Sequence, residues 1–387
     1  MSTGSDVLIV GAGLFGAVIA ERLAADAGIK VCVIDKRSHI GGNCYSHIDA
    51  ETKVECHRYG PHIFHTSHEH VWDYVNRFTR FNGYHHVVHT KYRNRVFTMP
   101  INLGTINAFY GCNLSPEDVA LFVRREVERA GIKNPDNLED KAISLIGRPL
   151  YEAFIKGYTL KQWGVDPRQL PADIVTRLPV RYNYNSRYYD DRYEGVPWDG
   201  YARFFERLLC HPRIDVRLGT NYFDLEPSRK DFFLTVFTGP IDRYFNFSEG
   251  RLDWRSLRFD VQRHAIPDYQ GCSQMNYADP EIPFTRITEF KHFHPERVAS
   301  SATITYKEFA CAAGPDDEPY YPVNTPRNTE LLRKYQSLAQ RERRVIFGGR
   351  LGSYRYFDMD DSVASALECY ETSIRPLFTQ RSSFREV

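Results

Sequence analysis

The 387-residue sequence has no excess of charge of either sign: 50 Lys and Arg stand against 49 Asp and Glu, for a net charge of +1. That balance argues against a basic nucleic-acid binder or a polybasic membrane-surface protein, so no nucleic-acid partner is expected. Long apolar runs are also missing. The best candidate, residues 7–20, is too short and too rich in glycine to span a bilayer, so no membrane insertion is expected. The opening Met-Ser-Thr-Gly-Ser-Asp carries no basic segment, and a cytoplasmic location is the expectation. Eight cysteines are spread along the chain without a C-x-x-C, which indicates neither a disulfide framework nor a zinc site. Histidines are frequent at His57, His62, His65, His68 and His70, but carboxylates or thiolates in a recognised ligand pattern do not accompany them. A polar cleft is favoured over a metal, and none is expected. Internal repeats and low-complexity tracts are absent.

What the sequence does have is aromatic rings, with 25 Tyr, 25 Phe and 4 Trp. Amphipathic rings suit a cleft for a sugar, a base or a flavin, and equally an aromatic core. The N-terminus is more specific. A short apolar run at residues 6–10 is followed by Gly11-Ala12-Gly13-Leu14-Phe15-Gly16 and then an apolar stretch to Ala25. This strand, glycine turn and helix form a dinucleotide fingerprint. Gly11 makes the turn, Gly13 admits a pyrophosphate, and Gly16 lets helix and strand pack closely. A second strand at residues 30–34 ends in Asp35, an acid placed to meet ribose hydroxyls, followed by Lys36. NAD and FAD share this much. The Gly41-Gly42-Asn43 run beyond the acid offers a second close backbone approach, which the longer dinucleotide needs, and resembles flavoproteins of the glutathione-reductase and amine-oxidase type.

Ser115-Pro116-Glu117-Asp118 reads as a helix start, and further helices are expected at residues 137–146 and 150–163. Pro167, Pro171 and Pro179 then fence a segment containing Arg177, expected to move as a unit over residues 166–179. Residues 201–209 read as a helix and 214–218, 232–237 and 344–347 as strands, while 242–306 alternates like antiparallel strands. A last helix is expected to open at Asp358-Met359.

The chain resembles the bacterial UDP-galactopyranose mutase family over nearly its whole length. The resemblance rests on Gly-Ala-Gly-Leu-Phe-Gly (11–16), Tyr-Gly-Pro-His-Ile-Phe-His-Thr (59–66), Met-Pro-Ile-Asn-Leu (99–103) and Lys-Gly-Tyr-Thr-Leu-Lys-Gln-Trp (156–163). It continues through Phe-Thr-Gly-Pro-Ile-Asp (237–242), Phe-His-Pro-Glu-Arg (293–297), Glu-Pro-Tyr-Tyr-Pro (318–322) and Gly-Gly-Arg-Leu-Gly (348–352). It implies an α/β fold with three parts. These are a Rossmann-like FAD-binding domain (1–75, 195–242 and 310–387), a small helical bundle (103–150) and a twisted antiparallel β-sheet domain (76–102, 151–194 and 243–309). It also implies an intramolecular transferase that interconverts UDP-galactopyranose and UDP-galactofuranose, supplying galactofuranose for cell-surface glycans. In that reaction N5 of reduced FAD attacks the anomeric carbon while UDP leaves, and the protein is expected to be a homodimer.

A leaving diphosphate calls for guanidinium groups, which give paired donors and stay charged. The resemblance assigns these to Arg177 and Arg286. Uridine contact falls to Phe154, Tyr158, Thr159, Trp163 and Asn276, and diphosphate or sugar contact to Tyr188, Tyr321 and Tyr356. His62, Ile63 and Arg350 match the flavin side, where Tyr356, Asp358 and Met359 are also expected. His65 is expected at the N5 region, with a satisfied polar histidine as the competing reading. His86, with His85 and His89 beside it, stands where several family members carry Asn, which leaves the polar contact there open. A UDP-N-acetylgalactosamine preference, an amine-oxidase-type oxidoreductase and a flavin-free binding module of the GDP-dissociation-inhibitor type are the alternatives weighed.

Overall fold

A computed structural model describes residues 6–175, 179–225, 231–297 and 301–383. Its first sheet is wholly parallel, in the spatial order Val345–Phe347, Leu234–Phe237, Val7–Val10, Val31–Ile34, Ile214–Arg217. The side chains of Val7, Leu8 and Ile9 are buried because helices cover the sheet, chief among them Leu14–Ala25 and Met359–Cys369. The strands expected at residues 6–10, 30–34, 214–218, 232–237 and 344–347 are all present, within two residues at each end.

The second sheet has seven strands, ordered Tyr321–Pro322, Trp254–His264, Thr303–Ala312, Arg286–Glu289, Gln274–Tyr277, Val88–Tyr92, Arg95–Met99. It is antiparallel except at one seam, where Gln274–Tyr277 runs parallel to Val88–Tyr92. Alternation within one strand carries no information about the direction of a neighbour some 190 residues away, so that seam was not expected. The sheet also runs past the expected boundary at residue 309, to Ala312 and on to Tyr321–Pro322.

Helices Leu103–Tyr110, Pro116–Ala130 and Leu138–Ile146 share one core with the edge strands of this sheet, through Val88, Phe97, Met99, Ile106, Val123 and Ile143. The Ser115 hydroxyl accepts from Asp118 N with Pro116 in the first turn, as the sequence indicates. The segment leading into the last helix of this unit is less regular. Tyr151–Lys156 is a π turn, and the α-helix proper is Gly157–Trp163. Residues 166–175 do not hang free: Leu170 and Val175 are buried among the helices, and Leu170 O accepts from Leu138 N. That stretch could move as a unit only by exposing both side chains.

A buried ionic cluster braces the segment that leads to the histidines. Glu55, 4% exposed, accepts from the Ser46 hydroxyl at 2.6 Å and pairs with Arg297 at 2.7 Å and His294 at 3.2 Å. Two residues along the strand, His57 Nδ1 accepts from His62 N. Burial alone would raise the Glu55 pKa, but the histidines and Ser46 pull it down to about 2. A carboxyl held below its ordinary value stabilises the fold above that ordinary value, and the contribution fades as pH falls toward 2. Between pH 5 and pH 2 the wild type is therefore expected to lose about 3 kcal/mol of unfolding free energy that Glu55→Gln does not. Urea titrations of both proteins across that range check this, and parallel pH curves would count against it.

Candidate active site

A cleft of about 740 Å³ runs along the carboxyl ends of the parallel strands, the usual ligand position in such sheets. Gly11, Gly13, Phe15, Gly16, Asp35, Lys36, Gly42, Asn43, His62, Arg350, Asp358 and Met359 all line it. The backbone there is shaped for close approach. Gly42 lies at φ +56, and a Cβ on it would meet Gly13 Cα at 3.0 Å, so the two glycine turns touch to form one cradle. Helix Leu14–Ala25 begins at Gly13 with no side-chain cap, leaving its first N–H groups for a phosphate. Asp35 accepts from Ala12 N and Arg37 N, both at 2.9 Å, so the acid also holds the glycine turn in place. These features fit an elongated dinucleotide.

At the other end, helix Met359–Cys369 carries a capping box of Asp358 and Asp361, with Asp360 in its first turn. These acids partly compensate the positive end of that helix. His62 donates from Nδ1 to Gly60 O, and burial pushes its pKa down to about 4. It therefore presents a neutral Nε2.

Arg286 is the centre of the remaining site. The register places Thr90, Asn276, Arg286 and Glu308 in one row across four strands, on the same face of the sheet. Arg286 Nε donates to Glu308 Oε2 at 2.9 Å, Glu308 is 1% exposed, and no other carboxylate holds the guanidinium among the described residues. Burial opposes the charge, but Glu308 together with the Tyr158 and Tyr321 hydroxyls holds the Arg286 pKa well above its usual value. Arg286 stays cationic.

Around this cation lie Tyr158, Tyr321, His62 and His86, all within electrostatic reach. Trp163, which also lines the cleft, has its ring 6.3 Å from Tyr321, and Tyr321 stacks on Tyr356 at 5.9 Å. Arg350 lies 5.0 Å over the Tyr356 ring and donates to Tyr320 O and Phe357 O, which ties the two tyrosine segments together. Tyr188 packs against His86 at 5.4 Å, and His65 stacks on Tyr189 at 3.6 Å with its Nδ1 bonded to Asp191 at 2.7 Å.

Several expected contacts are not offered. Phe154 is 3% exposed and packs edge to face with Tyr92, Phe97 and Phe109, so its ring has no face for a base. Thr159 and Ile63 are likewise buried, the latter in the core under the parallel sheet. His86 is 2% exposed; the Tyr84 hydroxyl meets its Nδ1 at 3.0 Å and Gln274 takes a further bond, so it supports the site from behind. Arg177 lies outside the described residues. Sequence reasoning missed Glu308, Tyr189 and Asp191. The Tyr188-Tyr189-Asp190-Asp191 run was visible, but only strand pairing shows what it touches.

The chain is similar to known proteins over most of its length. The family model described as UDP-galactopyranose mutase matches residues 153–356, and that of an NAD(P)-binding Rossmann-like domain matches residues 9–78. The chain is 43% identical over 363 residues to a probable UDP-galactopyranose mutase of Klebsiella pneumoniae, covering 94% of this chain and 93% of that one. It is 39% identical over 373 residues to a dTDP-fucopyranose mutase of Escherichia coli, covering 95% and 98%. A crystal structure of reduced UDP-galactopyranose mutase superposes with a TM-score of 0.73 over 95% of each chain at 16% identity, which speaks to the fold. On the family match and the length of these alignments, the chain belongs to the UDP-galactopyranose mutase family.

Proposed function

We propose that the protein interconverts UDP-galactopyranose and UDP-galactofuranose with a bound, reduced FAD. The observation that carries this reading is Arg286, a permanently charged guanidinium set among Tyr158, Tyr321 and the dinucleotide cleft. Reduced flavin supplies the N5 nucleophile for the anomeric carbon when bound. The chain's own part is to hold the nucleotide and stabilise the leaving diphosphate. Arg286 and the hydroxyls of Tyr158 and Tyr321 would receive the negative charge as UDP departs, in a buried setting where such donors act strongly. Trp163 and Tyr158, on one short helix, would flank the uracil. His62 and the paired glycine turns would hold the cofactor, with Asp35 toward its ribose. Arg177 completes the set by resemblance, as do a homodimer, a cytoplasmic location and a role in supplying surface galactofuranose.

The dTDP-fucopyranose mutase relative favours a second substrate for the same chemistry. The test is anaerobic chromatography after incubating dithionite-reduced protein with UDP-galactofuranose, with dTDP-fucofuranose and UDP-N-acetylgalactosamine in parallel. Turnover of UDP-galactofuranose that vanishes on oxidation is expected. A colourless protein releasing no FAD, or flavin reduction driven by the substrate, would overturn the reading.

A further inference from the structure

The segment between Arg187 and Gly195 does more than supply Tyr188. Strand Tyr193–Gly195 pairs antiparallel with Phe64–Thr66, bringing His65 opposite Glu194. Just before that strand, both oxygens of Asp191 are engaged: Oδ2 with His65 Nδ1 at 2.7 Å and Oδ1 with the Ser67 hydroxyl at 2.7 Å. The Asp191 carbonyl accepts from Arg187. Tyr189 lies between the two histidines, 3.6 Å from the His65 ring at 14° and 5.9 Å from the His86 ring at 26°. The His65 imidazole is thus fixed in plane by Tyr189 and at one nitrogen by Asp191. Its Nε2 bonds to no partner among the described residues.

We propose that Asp191 is a positioning residue: its bond to Nδ1 sets the tautomer and ring orientation of His65, leaving Nε2 to meet the bound ligand. A short bond to a carboxylate requires a proton on Nδ1, and a second proton on Nε2 makes the ring an imidazolium. The groups facing His65 favour that cation. Burial lowers its pKa, but Asp191, with Asp358 and Asp360 on helix Met359–Cys369, raises it above the ordinary value; burial holds the pKa of His86, beyond Tyr189, down to about 3, so that ring is neutral. Asp191, which also faces His68, is held below the usual carboxylate range chiefly by His65. The pair is charged from the lowered Asp191 value up to the raised His65 value. A positive ring there would favour developing or resident negative charge in the ligand. This role rests on the reading that His65 faces the flavin and sugar.

The experiment uses 15N-histidine-labelled protein, titrated by NMR in wild type, Asp191→Asn and Asp191→Glu, with turnover measured on the reduced enzyme over the same pH range. In the wild type, above its transition, His65 should show the Nδ1–H tautomer. In Asp191→Asn its pKa should fall by about one unit and turnover by about tenfold, with KM little changed. Asp191→Glu should recover part of both. The Nε2–H tautomer in the wild type overturns the proposal, and that reading does not depend on either variant folding. An unchanged His65 pKa in Asp191→Asn, or a shifted pKa with unchanged turnover, overturns it as well. If the wild type lacks mutase turnover, the functional reading fails, while the nitrogen shifts still report the Asp191 bond.

Discussion

Arg286→Ala is expected to lower mutase turnover by about a thousandfold, because it removes the guanidinium proposed to meet the leaving diphosphate. The same change carries a structural penalty that must be separated from the catalytic one. Glu308 is 1% exposed, and without Arg286 Nε its carboxylate is buried with the Thr285 hydroxyl as its remaining close donor. Losing one member of a buried pair costs about 3–5 kcal/mol. The double substitution Arg286→Ala, Glu308→Leu removes the stranded charge and should recover most of that stability while leaving turnover low. Arg286→Lys should fall between, since an ammonium keeps the charge but not the paired donors. Anaerobic turnover and denaturant unfolding of the three variants decide the matter. Near-normal turnover in a folded Arg286→Ala protein would remove Arg286 from the reaction.

Gly157→Val should raise the KM for the nucleotide sugar at least tenfold and destabilise the fold by about 1–3 kcal/mol. A Cβ on Gly157 would lie 2.2 Å from Ala278 O and 3.3 Å from Pro280, so the helix must retreat from the sheet. That helix carries Tyr158 and Trp163, and its position is otherwise fixed. Lys161 Nζ donates to the carbonyls of Tyr277, Asp279 and Phe284, and Arg255 donates to Gln162 O and Lys161 O. Any shift of the helix moves both rings relative to Arg286. Calorimetric titration with UDP reports the nucleotide contact separately from turnover. Unchanged UDP affinity in the variant would mean that the helix does not hold the base.

The dinucleotide half of the site was readable because its parts lie close together in the chain. Gly11, Gly13, Gly16 and Asp35 act through one strand, one turn and one helix start, each with a local geometric reason. The substrate half was reached by resemblance, and its supports were not readable at all. That Glu308 partners Arg286 depends on the register between two strands, and that Asp191 meets His65 depends on a three-residue ladder joining segments over 120 residues apart. Phe154 shows the opposite error. Resemblance assigned it to the uridine, whereas its ring packs in the core against Tyr92, Phe97 and Phe109.

The strand order of the parallel sheet also bears on synthesis. Val7–Val10, near the start of the chain, lies beside Leu234–Phe237, which in turn pairs with Val345–Phe347, and Gly348–Arg350 follows directly. Such non-local pairing is slow, since loop closure precedes its reward. A ribosome adding about 5–20 residues per second needs roughly 20–70 s to reach that last strand. Until then the glycine turns exist without the wall that Arg350 provides. A chain ending before residue 345 would keep the glycine fingerprint but lack both the Val345–Phe347 strand and the cleft wall at Gly349 and Arg350.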